Sequence, residues 1–178
     1  MLFALVAVLL AAVLLRFQGR LWTCSCGEVF VWAGDVWSAH NSQHLFDPYA
    51  FTHVLHGIAF FWLLQLVSGR VGPAWRLALA VSAEAAWEVV ENSTYVIERY
   101  RSVTVSLGYV GDTILNSGGD IVACIAGFAF THYMGVRRSI LVFVFVEVVL
   151  AFWIRDGLLL NILMLLWPVD AVLEWQMG

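Results

Sequence analysis

Apolar segments long enough to form helices recur along this chain, and they constrain its fold more than any other feature. A helix needs about 20 predominantly apolar residues to cross a bilayer. Five segments approach or reach that length, at residues 1–16, 51–68, 75–96, 112–133 and 139–154. The sequence therefore predicts an all-α fold, a polytopic membrane helix bundle with five spans, in which residues 1–178 form a single transmembrane domain.

Composition agrees with a protein whose surroundings are lipid. Of the 178 residues, 62% are hydrophobic and 12% are charged, whereas soluble domains average about 45–50% apolar and 25% charged residues. The net charge is −4 and the sequence has no basic run, so a nucleic-acid partner is not expected. The expected partner is the lipid bilayer, and the oligomeric state stays open.

The segments after residue 154 are too short to cross a membrane alone. Leu158 to Trp167 is followed by Pro168, which predicts a short C-terminal re-entrant or interfacial helix over residues 157–168. Asp156 is expected to cap that helix. Residues 97–111 are predicted to form a polar return between the third and fourth spans.

The connection over residues 17–50 is the longest polar one, and its many aromatic residues indicate that it is ordered. Asp47 and Pro48 at its end are typical of an N-cap and the first turn of a helix. Cys24 and Cys26 form a C-x-C pair. They are either ordinary or oxidised thiols at the membrane surface or metal ligands, and a single C-x-C is a weak metal signal because strong zinc sites pair two such motifs.

The distribution of arginine predicts an orientation in the membrane. The short turns at residues 69–75 and 135–138 contain Arg70, Arg137 and Arg138 and no acidic residue. Cytoplasmic loops carry an excess of such residues. We therefore expect these turns in the cytoplasm, with residues 17–50 and 97–111 on the outer side.

Two helical stripes of polar residues interrupt the apolar segments. Ionisable groups inside a membrane cost several kcal/mol unless they are paired, protonated or hydrated, so such stripes indicate a functional site. Residues three, four or seven positions apart share one helix face. The two stripes, one on the third span and one on the fourth, are Glu84, Glu88 and Glu91, and Asp112, Asn116 and Asp120. The fourth span also has Gly118, Gly119 and Gly127, which allow close helix approach.

In an up–down bundle, the start of the second span, the end of the third and the start of the fourth lie at one membrane face. We therefore expect one polar site near the outer face, combining histidines, carboxylates and arginines. The predicted catalytic residues are His53, His56, Glu88, Glu91 and Asp112. The predicted substrate-binding residues are His40, His44, Glu84, Arg99, Arg101, Asn116 and Asp120.

This set of side chains suits more than one kind of chemistry. Histidines and carboxylates bind zinc, manganese or iron, and the same groups serve general acid–base catalysis without metal. The cofactor is thus undetermined, with a divalent metal as one option and His53, His56, Glu88, Glu91 and Asp112 as its candidate ligands. The alternative is structural, with the same groups pairing only to hold the bundle together.

Several strings in the chain resemble those of an uncharacterised bacterial family of integral inner-membrane proteins of unknown function. They are C-x-C-G at 24–27, H-N-S-Q-H-x-x-D-P-Y-x-F-T-H-x-x-H-G at 40–57, W-E-V-V-E-N at 87–92, E-R-Y-R at 98–101, and G-D-T-I-L-N-S-x-G-D at 111–120. The resemblance implies a multi-pass protein of the bacterial inner (plasma) membrane. It implies no particular activity.

A looser similarity is to the VanZ-like membrane proteins. It rests on the order of a histidine at one helix start, a glutamate on the next helix, an arginine in the return, and D-x-x-x-N-x-x-G. Here the last string is Asp112 to Gly119. That group is linked to glycopeptide tolerance and the cell envelope, whereas Glu84 and Asp120 of this chain are additional to its pattern.

Three functions follow as hypotheses. The first is an envelope enzyme that acts on an amphiphilic or lipid-linked substrate, with Arg99 and Arg101 holding an anionic head group. The second is a non-catalytic carrier of a small solute or proton, and the third is a structural or assembly protein. The absence of an inverted repeat and the small number of spans argue against a monomeric carrier.

Overall fold

The computed structural model describes residues 2–104, 106 and 108–178. Within these residues the backbone forms eight α-helices and no strand beyond one isolated bridge. The predicted all-α class is therefore confirmed. The helices are α1 (Leu2–Phe17), α2 (Ala50–Gln65), α3 (Pro73–Glu91), α4 (Thr94–Val103), α5 (Ile114–Met134), α6 (Val136–Trp153), α7 (Leu158–Leu166) and α8 (Asp170–Met177).

Helix α5 lies at the centre and packs most extensively against α2. Glycines bring the two backbones together. A Cβ on Gly57 of α2 would overlap the carbonyl oxygen of Cys124, and one on Gly127 of α5 would overlap that of Val54. Helices approach this closely only where neither carries a side chain at the crossing.

The predicted role of small residues holds for some glycines of α5 and not for others. Gly119 faces the carbonyl oxygen of Leu45, in the connection before α2, and has no room for a Cβ. Gly118, the preceding residue, has open space where its Cβ would be. The difference arises because adjacent helical residues point about 100° apart.

Helix α1 packs against α3 through alanines. Ala4 and Ala11 are buried against Ala78 and Ala85. Small side chains at this contact allow a large part of α3 to be covered by an apolar helix. Because this face of α3 is occupied by α1, the glutamates of α3 lie on the opposite side, toward α2 and α5.

The connection between α1 and α2 is ordered by backbone hydrogen bonds. Its two halves pair, with Ala33 N donating to the Phe46 carbonyl at 2.9 Å. Asp47 accepts from the backbone N–H of Ser42 at 2.8 Å and of Tyr49 at 2.7 Å. Asp47 thus joins the connection to the first turn, whereas the N-cap of α2 is Tyr49. Burial raises the pKa of Asp47, and the two N–H donors oppose that rise.

The third predicted span ends earlier than expected. We predicted a helix to residue 96, but α3 ends at Glu91, and Ser93 caps a new helix by accepting from the Val96 N–H. Asn92 terminates α3 because its side chain donates to the Glu88 carbonyl. Part of the predicted polar return at 97–111 is consequently helical, and the residues at 105 and 107 lie outside those described.

Helices α7 and α8 form a hairpin. Asp156 lies just before α7 and is hydrogen-bonded to Gln176 near the end of α8. Its carboxylate accepts from Gly157 N at 2.9 Å, Gln176 Nε2 at 3.2 Å and Tyr49 Oη at 3.2 Å. We expected Asp156 to cap α7, but Glu147 of α6 does so, accepting from the N–H groups at the helix start. Asp156 instead ties the hairpin to the connection before α2.

The surface of the bundle is strongly apolar on two helices. Exposed large apolar side chains run along most of α1 and α6, from Leu2 to Leu14 and from Ile140 to Phe152. Among the described residues, α5 is the helix long and apolar enough to cross a membrane, and it is mostly buried in the bundle; α1 and α2 are apolar but shorter. Such a helix is weak support for membrane association.

Candidate functional site

Two histidines of α2 share one carboxylate of α3. Nδ1 of His53 lies 2.5 Å from Glu84 Oε1, and Nδ1 of His56 lies 3.0 Å from Glu84 Oε2. Glu84 is fully buried. Since both Nδ1–H groups donate to this carboxylate, each ring is held in one orientation and its Nε2 is left as the acceptor nitrogen.

Glu88 lies one turn beyond Glu84 on α3 and is also fully buried. Its Oε1 is 3.5 Å from His53 Nδ1, at the limit of a hydrogen bond. Within the described part of the chain, neither carboxylate oxygen of Glu88 has a hydrogen-bond partner. A buried, ionised carboxylate without partners costs several kcal/mol, so Glu88 needs a proton, a cation or a ligand.

Asp120 of α5 approaches the same histidine from the other side. Its Oδ2 is 4.0 Å from His53 Nε2. The other oxygen, Oδ1, is buried and without a partner in the described residues. His53 therefore lies between Glu88 of α3 and Asp120 of α5. Each of these carboxylates has at least one oxygen without a hydrogen-bond partner in the described residues.

Around Asp112, polar groups from three segments form hydrogen bonds with one another. Asn92 Nδ2 donates to Asp112 Oδ2 at 2.7 Å, and the Asp112 N–H donates to Asn92 Oδ1 at 2.7 Å. Tyr109 Oη donates to Asp112 Oδ1, and Tyr100 Oη donates to Glu91 Oε1, both at 3.0 Å. This ring joins the end of α3, the helix α4 and the start of α5.

A cavity of about 550 Å³ opens above these groups. Both polar and apolar side chains line it. Its polar lining includes Ser42, Tyr49, His53, His56, Glu91, Tyr100, Tyr109, Asp112, Asn116, Asp120 and Asn161. Its apolar lining includes Ala59, Phe60, Ala83, Ala86, Trp87, Val90, Leu158, Ile162 and Leu165. Because α7 supplies one wall, the C-terminal hairpin takes part in the site.

Eight predicted site residues lie together in or beneath this cavity: His53, His56, Glu84, Glu88, Glu91, Asp112, Asn116 and Asp120. The two predicted arginines do not join them. Arg99 Nε donates to the Leu165 carbonyl and Arg101 Nε to the Tyr109 carbonyl, and neither is among the described residues that line the cavity. The expected convergence of arginines on the site is corrected: both side chains bind backbone instead.

His40 and His44 form a separate group with Cys24 and Cys26. The two cysteines are joined in a disulfide, and His40 Nδ1 lies 2.9 Å from His44 Nε2. The Phe30 N–H donates to His44 Nδ1 at 3.2 Å, so Nε2 of a neutral His44 holds the proton. Burial, and then the neighbouring His40, lowers the pKa of His44. The two sulfurs are bonded to each other and the two histidines contact each other. This group lies away from the cavity, since none of the four residues is among the described residues that line it.

Three members of the site were not predicted from the sequence. Tyr100 and Tyr109 belong to the predicted polar return at 97–111, where no periodic pattern indicates them. Asn92 follows Glu88 by four positions, so it continues the glutamate face of α3. That spacing was a signal that could have identified it.

Together these features define a class: an all-helical bundle with an apolar-walled cavity over a buried histidine–carboxylate cluster. The chain belongs to the family described as "Protein of unknown function (DUF2585)", which matches residues 15–178.

Relatives in several bacteria cover nearly the whole chain. A UPF0314 protein of Paracoccus denitrificans is 47% identical over 169 residues, covering 95% of this chain and 88% of the relative. One of Novosphingobium aromaticivorans is 46% identical over 175 residues, with 96% and 88% covered. One of Rhizobium meliloti is 44% identical over 180 residues, with 99% and 90% covered. No solved structure matches the chain.

Proposed function

We propose that this protein is a multi-pass enzyme of the bacterial inner membrane that acts on an amphiphilic or lipid-linked substrate. The observation that carries the proposal is the cavity, whose lining combines acid–base groups such as His56 and Glu91 with many apolar side chains. A ligand that fits both surfaces has a polar head and an apolar tail. At about 550 Å³ the cavity has the size of a small-molecule site.

The proposed membrane location rests on the exposed surface. A soluble protein rarely exposes large contiguous apolar patches, whereas α1 and α6 expose apolar side chains along most of their length. In this proposal α1, α2, α3, α5 and α6 cross the bilayer, and the hairpin of α7 and α8 is re-entrant. Positive charge at Arg70, Arg137 and Arg138 assigns the turns opposite the cavity to the cytoplasm. The cavity then faces outward, as the similarity to VanZ-like envelope proteins also suggests.

His56 is the proposed general base. Its Nδ1 is held by Glu84, and its ring lines the cavity, so Nε2 is the nitrogen available to a substrate or water. A carboxylate that orients a histidine and stabilises the imidazolium is a recurring device in acid–base catalysis. Hydrolysis or group transfer at the polar head would use this arrangement, with the tail along Phe60, Trp87 and Ile162.

The test is turnover by the purified protein. The wild-type protein in detergent is incubated with lipids extracted from its own membrane, and products are identified by mass spectrometry. We expect wild-type protein to change at least one lipid species and His56→Ala to leave it unchanged, at an unaltered melting temperature. His132→Ala is the matched control, because His132 is exposed in the last turn of α5 at the opposite end.

The same experiment separates the other functions. A carrier has no gradient in detergent and would change no lipid. A structural protein would also change no lipid, and His56→Ala would make it less stable. Unchanged lipid profiles with folded wild-type protein would therefore contradict the enzymatic proposal.

A further inference from the structure

We propose that one divalent transition-metal ion is bound beneath the cavity by His53, Glu88 and Glu91. This inference rests on the proposed function, since it supplies the cofactor of that same site. It goes beyond the sequence analysis by choosing three ligands from five candidates. The choice follows from which ligand atoms lie close to one another and which carboxylate oxygens lack a hydrogen-bond partner.

The three residues are close enough to bind one ion. Each of them offers one ligand atom, and these atoms lie within 4.8 Å of one another. Ligands at about 2.0–2.2 Å from one ion are about 3.3–3.6 Å apart in tetrahedral geometry. Side-chain movements of up to about 1 Å would therefore complete the coordination.

The unpartnered oxygens point to an ion. Both oxygens of Glu88 and Oε2 of Glu91 are buried without a hydrogen-bond partner in the described residues. Native proteins leave few buried polar atoms unsatisfied, and a bound ion is one explanation of such atoms. Glu88 is fully buried, so water from outside does not serve it directly.

Two neighbouring carboxylates have both oxygens occupied. Asp112 uses both oxygens for Asn92 and Tyr109. Glu84 uses both oxygens for the two histidines, and it holds the ring of His53 as carboxylates hold metal-ligating histidines. These residues form the surroundings of the proposed ion.

The charge of the site favours a cation. In the described part of the chain, the ion pairs made by Glu84, Glu88 and Asp120 are all with histidine. Burying several carboxylates without a compensating positive charge is costly. A divalent ion offsets two negative charges at once, and one imidazole with two carboxylates suits zinc, manganese or iron.

The experiment measures binding directly, without reference to activity. Full-length protein in detergent is stripped with a chelator, reloaded separately with Zn²⁺, Mn²⁺ or Fe²⁺, desalted and analysed by elemental mass spectrometry. We expect about one ion per chain for at least one metal. Glu88→Gln and, independently, Glu91→Gln should weaken binding by at least tenfold. Glu147→Gln, whose carboxylate caps α7 away from the cavity, should bind like wild type.

Two results would overturn the metal site. One is a folded wild-type protein that retains none of the three metals, and the other is wild-type affinity in both glutamine variants. If either glutamine variant fails to fold, the other decides. Binding without any lipid turnover would leave the metal site standing and contradict only the enzymatic function, whereas full turnover by chelator-stripped protein would contradict only the metal site.

Discussion

Substitution of Asp156 by asparagine should remove a specific part of the pH dependence of stability. Asp156 lies between α6 and α7 and is fully buried. Burial raises its pKa from 3.8 to about 7, and the charge of Glu147 adds to that effect, while the Gly157 N–H and the Tyr49 hydroxyl oppose it. The folded protein therefore holds a proton that the unfolded chain releases near pH 4.

The sign and size of the effect follow from linkage. Because the folded-state pKa of Asp156 is above the unfolded one, its contribution to stability is fully present below pH 3.8 and is lost as pH rises through about 7. A difference of about 3 pKa units corresponds to about 4 kcal/mol, at 1.36 kcal/mol per unit. Asparagine keeps an acceptor oxygen for Gly157 and Gln176 and does not ionise, so Asp156→Asn should become the more stable protein as pH rises.

The assay is thermal unfolding of wild type and Asp156→Asn in the same detergent between pH 4 and pH 8.5. We expect similar melting temperatures near pH 4 and an advantage for the variant that grows as pH rises from there, levelling off above pH 7. The difference between the two profiles isolates Asp156 from the other buried acids. Parallel profiles over the whole range would refute the assignment of a raised pKa to this residue.

Three further perturbations test the packing and the proposed orientation. Gly127→Ala should destabilise the bundle by about 1–3 kcal/mol through overpacking against α2, whereas Gly118→Ala, with open space around it, should be neutral or stabilising by up to about 1 kcal/mol in the same thermal melts. Glu147→Gln should cost about 1 kcal/mol and increase hydrogen exchange at the start of α7, because a charged acceptor is lost from its first turn. Reporter fusions after Gly72 should give a cytoplasmic signal and fusions after Ser42 an external one; reversed signals would place the cavity on the cytoplasmic side.

The helices were predictable from the sequence because their apolar segments are much longer than the usual 4–8 residues of a buried strand. The residues at which the helices start and end were harder to predict. The break after Glu91 depends on the side chain of Asn92 and on the Ser93 cap, which a hydropathy pattern does not record. Similarly, Glu147 and not Asp156 caps α7, and that contact joins residues from different helices.

The grouping of the candidate site was predictable for residues on helix faces and not for residues in connections. His53, Glu88 and Asp120 lie together because each occupies the same level along the axis of its own helix in the bundle. Arg99 and Arg101 were expected there too, but α4 turns away from the axis of α3 and directs both side chains to backbone carbonyls. A connection has no periodicity from which such directions can be derived.

The contrast between satisfied and unsatisfied acids gives the sharpest test of whether this cluster is a scaffold. Asp112 has partners for both oxygens, so Asp112→Leu should destabilise the protein by about 1–3 kcal/mol, because Asn92 Nδ2 and Tyr109 Oη each lose an acceptor. Glu88 has none in the described residues, and replacing a buried charge by an apolar group of similar volume is often neutral or stabilising. Glu88→Met should therefore raise the melting temperature of chelator-treated protein while abolishing metal binding and turnover.

A residue that lowers the stability of the protein is expected where function requires it. A residue with a purely structural role should not lower stability. If Glu88→Met instead lowers the melting temperature as much as Asp112→Leu does, Glu88 is a structural residue with partners inside the bundle. The metal site and the catalytic role of the cluster would then both lose their physical basis. The comparison needs only thermal melts of two variants and wild type, and it requires no knowledge of the substrate.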